Sequence, residues 1–107
     1  MKKQVRCSTV QKYTVRANRG KARIWLEGKR LENAAFTVGA RFDIESGDGD
    51  LLLCLDPNGS RKVSGKGERP IIDLSGRSCA PFKTGDAVEV EYYPYHGIVI
   101  REAINNG

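Results

Sequence analysis

Cysteine is scarce, and its spacing suits no cysteine chemistry. The 107 residues contain three, Cys7, Cys54 and Cys79, an odd number with no two near each other in sequence. That pattern argues against a disulfide framework and against a C-x-x-C zinc site. Histidine is scarcer still. His96 is the only one, and no second histidine or carboxylate cluster accompanies it as a metal centre or nucleophile relay would need. No apolar run approaches the roughly 20 residues of a membrane-spanning helix. The opening Met1-Lys2-Lys3-Gln4-Val5-Arg6 lacks the apolar stretch of a signal peptide. Two glycine-rich segments fall short of the motifs they suggest. Gly47-Asp48-Gly49-Asp50 lacks the ligand run and closing Glu of an EF-hand, and Ser64-Gly65-Lys66-Gly67 lacks the P-loop spacing. The expectation is a cytoplasmic protein with no catalytic residue, no metal, no cofactor and no membrane partner.

What is present is a repeat. The length argues for one domain, and a 39% hydrophobic content suffices for a modest core. Within it, Leu26-Glu27-Gly28 and Leu74-Ser75-Gly76 each end a strand pattern and precede a cation, Lys29 or Arg77. A short segment then closes on Ala35-Phe36 in one copy, and on Ala80 with Phe82 in the other. Gly39-Ala40 and Gly85-Asp86 follow, each leading into alternating residues: Arg41-Phe42-Asp43-Ile44-Glu45, and Ala87-Val88-Glu89-Val90-Glu91. An apolar strand closes each unit, at 51–55 and at 97–100. Charge repeats too. Residues 1–30 hold ten Lys/Arg against one acid, 31–60 one against six, 61–84 six against two, and 85–107 one against four. Each half runs from basic to acidic. A pseudo-twofold axis would let the basic openings share a face.

Periodicity predicts strands near 5–15, 23–26, 40–45, 50–55, 70–74, 86–92 and 97–101, with one or two helical turns at 30–36. Trp25 is expected in the core, and Cys54 as a buried thiol inside Leu51-Leu52-Leu53-Cys54-Leu55. Pro81 limits the second helical segment to a turn. Residues 104–107 read as a frayed tail. The expected layout is a single domain, 1–107. A basic N-terminal strand or arm spans 1–20, and half-barrel repeats span 21–56 and 69–103. A flexible Gly/Ser/basic linker at 57–68 joins them. A half of about 30 residues cannot bury its own apolar face, whereas two clasped halves can.

The pattern Ile24-x-Leu26-x-Gly28, then Leu31-x-x-Ala34-Ala35-Phe36-x-x-Gly39, resembles the SymE-like branch of the AbrB/SpoVT swapped-hairpin superfamily. The second copy, Pro70-Ile71-Ile72-Asp73-Leu74-Ser75-Gly76 and then Phe82-x-x-Gly85-Asp86-Ala87-Val88-Glu89-Val90, resembles it as well. Its Gly85-Asp86 is similar to the GD box of cradle-loop barrels. The two copies cover about two-thirds of the chain. The resemblance implies a mostly β fold with one or two short helices: an AbrB-like swapped-hairpin barrel closed within one chain as a pseudo-dimer, hence a monomer. It departs from the family in its short second helical segment and long linker.

Members of the superfamily are commonly DNA-binding regulators or antitoxins, and the SymE-like branch is classed with toxins. The resemblance therefore implies nucleic-acid contacts from Lys21, Arg23, Lys29 and Arg30 in the first copy, and from Arg69 and Arg77 in the second. Cations so placed bind phosphates by counterion release. Lys2, Lys3, Arg6, Lys12, Arg16 and Arg19 would add a basic arm, and Arg61, Lys62 and Lys66 a backbone clamp. The alternative for all of them is a solvated basic surface. Tyr92, Tyr93 and Tyr95 form the one aromatic cluster. They suit either an interface or a half-buried hairpin turn. Three functions stay open: a nucleic-acid-binding regulatory or toxin-antitoxin-like protein, with duplex DNA favoured over RNA; a protein-interaction module serving a larger nucleic-acid machine; and a ribonuclease-like toxin using His96.

Overall fold

Alternation of apolar and polar residues gives strands whose inward side chains meet in one core. The computed structural model describes residues 6–103. Lys2 and Lys3 of the expected arm, and the expected tail 104–107, lie outside the described residues. In chain order the elements are β1 (Thr9–Thr14), β2 (Arg16–Asn18), β3 (Lys21–Glu27), α1 (Lys29–Asn33), β4 (Arg41–Gly47) and β5 (Asp50–Leu55). Then follow β6 (Arg61–Lys62), β7 (Ser64–Lys66), β8 (Arg69–Ser75), a 3-10 turn at Gly76–Cys79, β9 (Ala87–Tyr93) and β10 (Gly97–Glu102). The fold is mostly β, with two antiparallel sheets and one short α-helix among the described residues. The first sheet has the order β1-β9-β10-β5-β4-β6, the second β2-β3-β8-β7. No helix among the described residues is long and apolar enough to cross a membrane.

Both strand orders are palindromic. Exchanging β1–β5 for β6–β10 in sequence returns each sheet to itself, read from the other end. Hydrogen bonding at the corners repeats the relation. The Val15 N–H donates to the Asp86 carbonyl at 2.9 Å, and the Val15 carbonyl accepts from the Gly85 N–H at 2.8 Å. Val63 does the same with Ala40 at 2.8 Å and Gly39 at 2.9 Å. Each valine is 1% exposed and sits where the chain leaves one sheet for the other. The segment 57–68, expected as a flexible linker, thus carries β6 and β7. Glycine and serine masked this, because short edge strands need little apolar patterning of their own.

The two sheets close on one core. Ile24, Leu26, Ile72 and Leu74 point inward from the four-stranded sheet. Phe42, Leu51, Leu53, Val88, Val90 and Ile100 face them from the six-stranded one. Phe36 packs edge-on against Phe42, with ring centroids 5.9 Å apart. The parity of β5 corrects one expectation. Leu51 and Leu53 are buried, which puts Cys54 on the outer phase, half-exposed; the fully buried thiol is Cys79, whose Sγ donates to the Leu74 carbonyl at 3.2 Å. The helix is also shorter than the seven residues read for it, because Ala35 takes a positive φ of 72° and turns the chain.

Candidate nucleic-acid interface

The side chains of β3 at Arg23, Trp25 and Glu27 alternate with the buried Ile24 and Leu26, so they lie on the outer face of the four-stranded sheet. Trp25 is therefore half-buried rather than part of the core, a correction that strand parity explains. Beside it, β1 leads through Val15 into β2, and Arg16 pairs in register with Arg23. A groove of about 740 Å³ runs between these elements. Five cations line it: Lys12 of β1, Arg16 of β2, Arg23 of β3, Arg30 of α1 and Arg69 at the start of β8. Tyr13 and Trp25 line it as well.

The aromatic floor is held from several directions. Tyr13 Oη accepts the Trp25 backbone N–H at 2.9 Å, fastening β1 to β3. Arg23 lies over the Trp25 ring, 4.6 Å from its centroid, and Arg16 stands 5.9 Å from that of Tyr13. Arg23 also makes a bidentate pair with Asp73, donating from Nε at 2.9 Å and from the terminal nitrogen at 3.0 Å. Asp73 raises the pKa of Arg23 further, so its charge is permanent. Glu27 is the one acid lining the groove. Its carboxyl is held below its ordinary value first by Arg69, 3.4 Å away, and then by the Trp25 indole.

The implied contact residues are thus divided. Arg23, Arg30 and Arg69 share the groove, joined by Arg16 and Lys12. Lys21 and Arg77 sit together at the far end of the β3–β8 pair, where Lys21 Cδ would approach a Cβ on Gly76 to 3.7 Å. Lys29 is exposed on α1 and pairs with Glu32 at 3.7 Å. Arg19 occupies the β2–β3 turn. Arg61 donates to Ser78 Oγ, Lys62 lies opposite Arg41, and Lys66 lies opposite Arg69 on β7. Arg6 is exposed. No known protein family, curated protein or solved structure matches this chain.

The tyrosine cluster is not one surface. Tyr92 is 1% exposed, and its hydroxyl donates to Gln11 Oε1 at 2.6 Å; burial pushes its pKa up to about 12, against the opposing charge of Arg30. It belongs to the core because it shares the inward phase of β9 with Val88 and Val90, so it sits neither at an interface nor half-buried in a turn, the two places expected for it. Tyr93 is half-buried and bonds to Glu91 at 2.9 Å, whereas Tyr95 is 78% exposed in the β9–β10 turn. Tyr93 and His96 border an apolar hollow of about 280 Å³ over Leu52, Cys54 and Val99, on the six-stranded sheet. His96 lines this hollow and not the cationic groove. Tyr13 and Trp25 carried no site assignment in the sequence. The signal for Trp25 was its place between Arg23 and Glu27, on the polar phase of β3.

Proposed function

We propose that this chain binds nucleic acid through the groove between β1 and the outer face of β3, as a regulatory or toxin-antitoxin-like protein. The observation that carries the reading is five cations against one acid along a groove floored by two aromatic rings. Lys and Arg at this density hold a phosphate backbone by releasing its counterions. Arg23 and Arg69 are partly neutralised by Asp73 and Glu27, which leaves Lys12, Arg16 and Arg30 as the free charges of the groove among the described residues. We further infer an AbrB/SymE-like barrel formed by one chain acting as a monomer. The palindromic strand orders and the matched bonds at Val15 and Val63 support it.

The test is binding of a labelled mixed-sequence oligonucleotide across a salt series. Affinity should fall steeply with salt, by about 0.7–0.9 of a log unit per log unit of salt for each phosphate neutralised. Arg16→Glu with Arg30→Glu should abolish binding, while Arg77→Glu, outside the groove, should leave it nearly intact. Loss with Arg77→Glu alone would refute the groove assignment. A second reading, a protein-interaction module, is favoured by the apolar hollow on the other sheet. There Leu52 lies opposite Glu45, and Val99 opposite Glu91, whose carboxylate is paired with Arg101 at 3.3 Å. The surfaces are separate, and reversing the groove charges leaves this one unchanged.

A further inference from the structure

We propose that the groove takes an unpaired strand of nucleic acid rather than a duplex, with a base stacked on the Arg23–Trp25 platform and flanking phosphates on Lys12, Arg16 and Arg30. The inference rests on the groove being the nucleic-acid site and names the form of ligand it accepts. In a duplex the base faces are already stacked on one another, so rings on the floor of a groove find nothing to cover. An unpaired strand presents base faces and phosphates in alternation. Rings and charges alternate here in the same way, with Arg16 beside Tyr13 and Arg23 beside Trp25. Unpaired bases stack on aromatic rings and on guanidinium planes alike.

Two further features fit this ligand. The Arg23–Trp25 stack is fixed before binding. Asp73 holds the Arg23 guanidinium through two hydrogen bonds over the Trp25 ring, so little of its side-chain freedom remains to be lost. The corresponding positions of the other half also lack rings. Two residues before Val63 stands Arg61, where Tyr13 stands before Val15, and across the β3–β8 pair Trp25 faces Asp73. The stacking site is therefore single, and one strand binds per chain.

Trp25 is the only tryptophan of the chain, so its fluorescence reports on this site alone. The whole chain is titrated at constant ionic strength with oligothymidylate, oligouridylate and a blunt duplex. Tryptophan emission is followed together with the anisotropy of an end-labelled strand. The unpaired oligomers should quench Trp25, bind at one strand per chain and hold at least about fivefold tighter than the duplex. Trp25→Ala should remove that preference without changing the salt slope, and Trp25→Phe should keep most of it. If Trp25→Ala does not fold, quenching in the native chain and the affinity of Trp25→Phe decide the matter. Equal or tighter duplex binding with unchanged emission overturns the stacking proposal while leaving the cationic groove in place. Binding of neither form overturns both.

Discussion

At the residue scale, burial decides what each polar atom can do. Tyr92 is the clearest case. Its ring belongs to the core, and its hydroxyl reaches the only partner it has among the described residues, Gln11 Oε1. Burial favours the neutral phenol, raising its pKa from an ordinary 10.0 to about 12. The folded value lies above the unfolded one, so the associated stability is fully present below pH 10 and is lost as pH rises toward 12. Cys54, Cys79 and Tyr93 are raised as well, so urea titrations at successive pH values should show stability falling from about pH 9, with about 2–3 kcal/mol of the loss above pH 10 belonging to Tyr92. Tyr92→Phe should cost about 1 kcal/mol at neutral pH by removing the hydrogen bond, and should remove Tyr92's share of the alkaline loss, the part above pH 10. An unchanged alkaline limb in that variant would assign the effect elsewhere. Arg23 shows the same principle on the surface. Its guanidinium is half covered because it lies on the Trp25 ring and against Asp73, and that pairing turns a mobile side chain into part of a fixed platform.

Strand pairing sets the terms at the scale of the elements. The β5–β10 ladder, at the centre of the six-stranded sheet, requires glycine at position 97. A Cβ there would run into the Leu53 carbonyl oxygen, which closes the space to any larger residue. Gly97→Ala should cost roughly 1–3 kcal/mol in chemical denaturation, since backbone must shift to admit the methyl group. Within the same sheet, the β4–β5 hairpin turns through Asp48 and Gly49 with φ of 47° and 85°, the paired positive values a two-residue turn demands. That hairpin was legible in the sequence, because Asp-Gly between alternating runs is a local signal. The strands β6 and β7 were not. They are two and three residues long, exposed, and defined only by their partners β4 and β8.

For the whole molecule, the central fact is the correspondence of its halves. If Val15 and Val63 hold equivalent corners, Val15→Ala and Val63→Ala should each cost roughly 2 kcal/mol, measured side by side by denaturant unfolding. A silent Val63→Ala would mean that 57–68 behaves as a loose connection. The halves agree in fold but differ in surface. The first supplies Tyr13, Arg16, Trp25 and Arg30 to the groove, and the second adds only Arg69. The groove on the four-stranded sheet is cationic, while the hollow on the six-stranded one is apolar. The two faces offer separate surfaces to separate partners.

Alternation along the chain was enough to determine the β class and the β4–β5 hairpin, because these depend on neighbours one to four residues away. The basic-to-acidic run of each half is likewise written in the sequence. Only the tertiary structure decided which cations meet. Arg16, Arg30 and Arg69 are brought to one groove by strand pairings across dozens of residues, while Arg77 is carried to the other end of the same pair. It also decided that Trp25 faces outward and Tyr92 inward. A strand buries one phase of its side chains, and which phase that is depends on the layer that covers it.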